Sequence, residues 1–511
     1  MGSHERVALP LQFIIVGGGI GGLACAYALQ KVGHQVVVLE QSDGQFQSKR
    51  GIRCPPNMTR PLYEWGLGPA LESAAVKASG ISFIVGETGE KIGMTVFHEE
   101  IMKAFRADFL FVQHGDIHAM LQDLALSTGV EIQYNATVVD IDPYGGVPPL
   151  TIGRARSPAV TGDVILGTDG RDSLVRKTVV GHGVREGGLR SFFYLSTMVL
   201  FSWFYHARGL LREFEADEGE LQWTIWMGDG YGVYGYLTDD KKTYSLVMIW
   251  PESPKDKLSA ESASWHKEHP VEDIDWDSRG MEVRLRKLIN LAKTFTCAQD
   301  SVREPIDSWM HESGRVVLAG DAAHPLLPTG SHHVAMAIED AVTLAHLLSH
   351  AILPSNIPLL LTTYEELRQL RTHLVQVSES RKRAFASFPH GPEQATRDRG
   401  LREAMREALL DWKHADEDYL REEWKEYVEL FNYDAREAVE DWWTKWGALV
   451  RRGLRYSLSN GTGTSGSAFS DGDVDTSGEW DFPEVGVKSP QVSVSISSIS
   501  ADGSEIVQCV V

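Results

Sequence analysis

Three glycines and an acid carry the first chemistry in this chain. Gly17, Gly19 and Gly22 stand in the run Gly17-Gly18-Gly19-Ile20-Gly21-Gly22, and Glu40 closes the apolar run Val36-Val37-Val38-Leu39. That spacing suits a dinucleotide. Gly17 permits a tight turn, Gly19 lets the backbone approach a pyrophosphate, and Gly22 lets a helix pack close to a strand. The helix N-terminus just beyond presents unpaired N–H groups to phosphate oxygens. Glu40 can accept hydrogen bonds from a ribose hydroxyl, which favours an unphosphorylated adenosine ribose. The turn alone does not choose between NAD and FAD.

Two further clusters follow apolar runs. Asp169-Gly170-Arg171-Asp172-Ser173 comes after Val164-Ile165-Leu166, and Gly320-Asp321-Ala322-Ala323-His324-Pro325-Leu326-Leu327-Pro328 comes after Val316-Val317-Leu318. By residue type alone Asp321 also suits a helix cap and Pro328 a turn, and His324 reads as a packing and hydrogen-bonding residue of its motif. No C-x-x-C pair or other metal-ligand spacing occurs among Cys25, Cys54, Cys297 and Cys509, so neither a metal site nor a disulfide framework is expected.

The elements that must position these groups are legible around them. Phe13-Ile14-Ile15-Val16 predicts a buried strand, Leu23 to Leu29 a helix and Val36 to Leu39 a second strand, all within about thirty residues. Residues 11–180 alternate strands and helices. From about 190 to 300, aromatic and β-branched residues alternate, as in Leu221-Gln222-Trp223-Thr224-Ile225-Trp226, which predicts an antiparallel sheet. The α/β pattern returns at Arg315 and runs into a long helix through His350. The expected fold is therefore α/β: a discontinuous Rossmann-like nucleotide-binding domain (11–190 and 300–361), a β-rich insertion (191–299) and a C-terminal helical region (362–456). Residues 457–511 are rich in Ser, Gly, Thr and Asp and predict a disordered tail.

With 511 residues, 43% apolar and 23% charged, the chain has the composition of an ordinary soluble protein of two or three domains. A net charge of −21 argues against nucleic acid or an anionic membrane as partner. No secretory signal or confident membrane span is apparent, so no stable membrane insertion is expected and the cytoplasm is the default location. Oligomeric state is not readable.

Taken in this order, the three clusters resemble those of the FAD-dependent aromatic hydroxylases typified by para-hydroxybenzoate and salicylate hydroxylases. The resemblance covers roughly residues 11–380, and the helices beyond look like the salicylate-hydroxylase-like branch, a type found in fungal secondary metabolism. It implies FAD as cofactor, NAD(P)H as a transient co-substrate, and a β-rich segment that serves as the substrate domain. The glycine turn and Glu40 match the ADP-binding element. Asp169 matches a motif by the pyrophosphate and the route of the nicotinamide, Asp321 the acid on the ribityl or pyrophosphate side, and Pro328 the proline at the flavin–substrate interface. A helix beginning near Val334 would point its N–H groups at the flavin edge where negative charge develops on reduction.

Three positions depart from that pattern. His333 stands where the last glycine of a Gly-Gln-Gly-like segment is usual. His332-His333 reads as a surface feature, a flavin-edge hydrogen bond or a substrate contact. His114 stands where an arginine often contacts FAD, which turns attention to Arg50 or Arg53 as the basic group. Gly232 aligns with a histidine of the branch while Tyr236 keeps an aromatic position, so a base for a phenol would come from Tyr231, Tyr234, Tyr236 or His206, with Tyr236 the one named. Cross-strand aromatic packing explains any one of them equally well.

The implied activity is an NAD(P)H- and O2-dependent monooxygenase. It would hydroxylate a small phenolic aromatic substrate through a flavin C4a-hydroperoxide, with decarboxylation where the attacked carbon bears a carboxylate. The alternatives are a flavin-dependent epoxidase of an alkene or indole, and a non-catalytic flavin-binding scaffold. The site expected is Tyr236 and His333 for catalysis, and Gly17, Gly19, Gly22, Glu40, Arg53, His114, Asp169, Asp321 and Pro328 for the cofactor.

Overall fold

The computed structural model describes residues 7–45, 48–144, 150–154, 157–181, 190–200, 223–241, 243–251, 253, 256, 264–302, 305–327, 329–408 and 417–460. Contacts divide the chain into a unit of residues 1–440 and a second of 441–511. The described part of the second unit is helical through Asn460, and residues 461–511 lie outside the described set. Pro328 and His206 also lie outside it. Among the described residues no helix is long and apolar enough to cross a membrane.

The unbroken apolar runs become a parallel sheet of five strands, in the order Val316–Leu318, Val164–Gly167, Gln12–Val16, Gln35–Leu39 and Glu131–Gln133. Helices cover such a sheet on its faces, which is why its strands can be apolar on both sides. The residues that leave the C-terminal ends of these strands are Gly17, Glu40, Thr168 and Ala319. Clusters far apart in sequence are therefore brought to one sheet edge, next to the point where strand order reverses around Gln12–Val16, the usual ligand crevice of an open α/β sheet.

The second large sheet has eight strands, in the order Ser264–Pro270, Thr294–Val302, Arg190–Leu200, Thr243–Pro251, Gly232–Thr238, Trp223–Met227, Gly80–Val85 and Lys91–Val96. It is antiparallel except where Trp223–Met227 runs parallel to Gly80–Val85. Its last two strands thus come from the N-terminal part of the chain. Residue alternation puts Trp223, Ile225, Gly232, Tyr234, Tyr236 and Ser245 on one face. A three-stranded sheet of Gly51–Cys54, Leu110–Gln113 and Val76–Lys77 meets that face, with Phe111 stacked on Tyr236 at 4.8 Å and Phe109 on Trp223 at 5.6 Å. The opposite face packs Trp250 against Trp276 and Phe295. Cys25, Cys54 and Cys297 are free and buried.

Candidate functional site

The glycine turn is shaped by steric need at two of its three positions. Gly17 has φ +104°, and a Cβ there would lie 2.6 Å from the Thr168 carbonyl oxygen. A Cβ on Gly22 would lie 2.0 Å from the Gly17 carbonyl oxygen. Gly19 faces open space and heads the helix Ile20–Val32, whose first turn has no side-chain cap. Thr168, which the motif did not single out, locks the turn: its hydroxyl donates to the carbonyls of Val16 and Gly17, each at 2.9 Å. Glu40 accepts from Gly18 N at 2.6 Å and from Ser42 N at 2.7 Å, and His118 Nε2 lies 2.9 Å from the Gly18 carbonyl.

Asp169 turns its carboxylate to the start of the helix Leu174–Val180. It accepts the Ser173 hydroxyl and the N–H groups of Leu174 at 2.7 Å and Val175 at 3.2 Å. Its neighbour Gly170, at φ +76°, is the residue that borders the cleft. Arg176 then reaches the carbonyls of Ala322 and Ala323 at 3.1 and 3.2 Å, joining this helix to the Asp321 turn.

The Asp321 turn is held from below by a buried charge network. Gly320 N donates to Asp340 Oδ2 at 2.8 Å, and His324 Nε2 lies 2.6 Å from the same oxygen. Arg368 donates from Nε to Asp340 at 2.7 Å and from a terminal nitrogen to Glu339 at 2.6 Å. Arg371 and Asn57 complete the shell of Glu339. Burial would raise the Asp340 carboxyl, but His324 and Arg368 outweigh it and hold the group at about 2. Asp321 itself projects into the cleft. Its carboxyl sits above its ordinary value because protein surrounds it, an effect that His324, Arg171 and Arg50 partly offset.

These pieces enclose one cleft of about 430 Å³, within the range of small-molecule sites. Gly18, Gly19 and Glu40 line one end, and Arg50, His114, Asp321 and His333 line the other. His333 is the first residue of the helix His333–Leu348, which also lacks a side-chain cap, so two uncapped helix N-termini border the same space. Burial is the main cause that lowers both histidines, His333 to about 3, and Arg50 adds to it. Both are neutral near pH 7, and Arg50 brings positive charge to this end. His332 points elsewhere: it is buried, with Nδ1 2.6 Å from Glu379 Oε1, and Glu379 also accepts Ser331 N at 2.9 Å.

Arg53 and Tyr236 do not line the cleft. Arg53 is buried and donates to the carbonyls of Thr329 and Gly330, in the loop that leads to His333. The Tyr236 hydroxyl donates to the Gly51 carbonyl at 3.0 Å, and burial holds this phenol above its ordinary value. Tyr231 is likewise buried and raised, and lies beside Gly86 and Gly228. Sequence reasoning missed Thr168, His118, Arg368 and Glu379. The pair Glu339-Asp340 was the available signal, because two adjacent acids within an otherwise apolar helix demand buried partners.

The cleft suits an FAD-type dinucleotide by its own features: a glycine with open space at an uncapped helix end, an acid at the next strand's end, and a second helix end with Arg50 beside it. Residues 11–209 and 248–378 match the family model described as an FAD binding domain. The chain is 30% identical over 412 residues to the FAD-dependent monooxygenase atnJ of an Arthrinium species, covering 78% of this chain and 90% of the relative. It is 27% identical over 347 residues to a 3-hydroxybenzoate 6-hydroxylase of Klebsiella oxytoca, covering 67% and 81%. The fold is shared with the solved substrate complex of salicylate hydroxylase at a TM-score of 0.64 and 20% identity, covering 84% of this chain and 97% of that one.

Proposed function

The chain belongs to the FAD-binding domain family of flavin-dependent monooxygenases, and on that premise we propose that it uses NAD(P)H and O2 to hydroxylate an electron-rich aromatic ring. The observation that carries the reading is the single cleft bordered by two uncapped helix N-termini, with Glu40 at one end and Arg50, Asp321 and His333 at the other. When bound there, FAD would supply the redox ring that accepts a hydride and activates oxygen.

In this reading Gly17 and Gly22 hold the turn, and the N–H groups from Gly19 onward face the diphosphate. A carboxylate has about four acceptor sites. Glu40 has committed two to Gly18 and Ser42 and keeps the rest for ribose hydroxyls. Asp169 acts by capping its helix and so fixing Gly170. Asp321 binds a polyol chain through its projecting carboxyl. Arg50 supplies the positive charge for which neutral His114 is unsuited. The N-terminus at His333 favours negative charge at the ring edge nearest it, and neutral His333 serves there as a hydrogen-bonding group. Pro328 would belong to the interface between ring and substrate. Tyr236 is a positioning residue, since a phenol bonded to a backbone carbonyl and raised by burial is a poor base at neutral pH.

The test is turnover by the yellow, FAD-loaded protein with NADH or NADPH and a panel of hydroxybenzoates, read for hydroxylated product and for H2O2. The expected result is nicotinamide oxidation that a phenol accelerates and couples to product. A protein that takes up FAD but oxidises no nicotinamide with any substrate points to the scaffold alternative. Equal slow oxidation with every phenol, yielding only H2O2, defeats aromatic hydroxylation, and epoxide formed from an alkene substrate would replace it.

A further inference from the structure

We propose that Arg53 and Trp223 form a recognition site for a carboxylate on the aromatic substrate, separate from the dinucleotide cleft. The inference rests on the monooxygenase reading above and assigns Arg53 to substrate.

Five arginines are buried among the described residues. Arg60, Arg368, Arg371 and Arg397 each pair with a carboxylate. Arg53 alone of the five has none, although only 3% of its surface is exposed. A buried charge with no carboxylate in direct contact is costly and persists where a partner arrives or a function needs it. Its two hydrogen bonds leave from one terminal nitrogen, to the carbonyls of Thr329 and Gly330. The other edge of the guanidinium, Nε and the second terminal nitrogen, has no hydrogen-bond partner among the described residues. That edge is the fork that binds a carboxylate through two parallel bonds.

A second group at the same place also lacks an acceptor. The guanidinium carbon lies 5.1 Å from the Trp223 ring centre, 5.1 Å from Tyr234 and 5.9 Å from Tyr236. The indole Nε1–H of Trp223 is buried and has no hydrogen-bond partner among the described residues. Buried donors are almost always satisfied, so an indole N–H and a neighbouring guanidinium edge that both lack an acceptor among the described residues fit a shared anionic acceptor. Glu379 feels the charge of Arg53 but is not within ion-pair distance of it, and it holds Ser331 N and His332 Nδ1. The site adjoins the cleft through the loop that Arg53 grips, which runs from Thr329 to His333.

The test compares charge at constant shape. The FAD-loaded protein is titrated with 3-hydroxybenzoate, salicylate and their neutral amides, and binding is followed by the change in flavin absorbance without turnover. The carboxylates should bind at least about tenfold more tightly than the amides. R53M should abolish that preference, with a loss on the order of 10–100-fold for the carboxylate and little change for the amide. R53Q serves if R53M does not retain FAD, and W223F should cost the carboxylate a smaller factor. Turnover should show the loss in KM more than in kcat. Equal wild-type affinity for carboxylate and amide, no binding of any carboxylate, or equal weakening of both ligands in the Arg53 variants overturns the proposal. Because binding is read without catalysis, a protein that discriminates by charge but never hydroxylates would sink the monooxygenase reading and leave this site standing.

Discussion

Arg368 and Asp340 meet in the fully buried interior, Nε to Oδ1 at 2.7 Å, while the other oxygen of Asp340 holds Gly320 N at 2.8 Å. One carboxylate thus ties the long helix Ile357–Ala386 to the turn that presents Asp321. Arg368→Leu would leave Glu339 and Asp340 short of a counter-charge in the core. The expected loss is about 3–5 kcal/mol of stability, read as a lower urea midpoint, together with weaker FAD retention because the Asp321 turn loses its anchor. An unchanged midpoint would show that this network does not support the fold.

The same carboxylates set the response to acid. Asp340 and Glu379 are each held at about 2, below their ordinary values of 3.8 and 4.5. A depressed acid contributes stability that is fully present above its unfolded value and is lost as pH falls through its folded one. The protein should therefore lose stability steeply between about pH 4.5 and pH 2. Glu379→Gln should flatten part of that slope while lowering stability at pH 7. A slope unaltered by the substitution would mean that another group sets it.

The histidine at the head of the helix His333–Leu348 acts over a higher range. His333 titrates at about 3 in the folded protein against an ordinary 6.5. In that window the unfolded chain binds the extra proton, so stability rises with pH and the contribution is complete above the unfolded value. Each pH unit below about 6.5 should cost about 1.4 kcal/mol for this group. His333→Asn should reduce the difference in urea midpoint between pH 7 and pH 5. No reduction would place His333 outside the titrating set.

The three glycines should separate into structural and binding roles. Gly22→Ala forces a Cβ to 2.0 Å from a backbone oxygen, and Gly17→Ala forces both a contact at 2.6 Å and a left-handed φ. Each should cost about 1–3 kcal/mol or more in stability, whether or not FAD is present. Gly19→Ala meets nothing within 4 Å and should leave the unfolding midpoint of the FAD-free protein nearly unchanged. It should instead weaken FAD about tenfold by keeping the backbone from the diphosphate. Equal effects of all three on stability would defeat this division.

What could be read from the chain alone was local. The sterics of Gly17, the apolar run of Phe13 to Val16 and the acid at Glu40 act on neighbouring residues, and one turn displays them together. That Asp169 and Asp321 join them follows from a rule of parallel sheets, whose strand ends share an edge. The choice between Arg50 and Arg53 was not legible, because both lie within four positions of one another and only the pairing of Gly51–Cys54 with Leu110–Gln113 decides which side chain faces the cleft. Likewise the contact of Arg53 with Trp223 and Tyr234 depends on strands far away in sequence, including a parallel pairing of Gly80–Val85 with Trp223–Met227 that no local pattern announces. Buried partnerships such as Asp340 with Arg368 have the same character: the acid's need is visible, and its partner is set by helix packing.

The division of labour between Arg50 and His114 yields the sharpest prediction for the cofactor. Both line the same end of the cleft, and His114 N donates to the Arg50 carbonyl at 2.8 Å. Burial and the Arg50 charge keep His114 below its ordinary value, so it brings no charge to an anionic ligand at neutral pH. Arg50 remains charged despite its surroundings, as guanidinium groups do. Arg50→Met should therefore weaken FAD by at least about tenfold, and the loss should shrink as salt rises because a charge contact has been removed. His114→Asn, which keeps a neutral hydrogen-bonding group, should change affinity by less than about threefold. Fluorescence quenching of FAD on titration into the apoprotein reads both. A His114 variant that weakens FAD more than the Arg50 variant, at pH 7 and low salt, would return the role to the histidine.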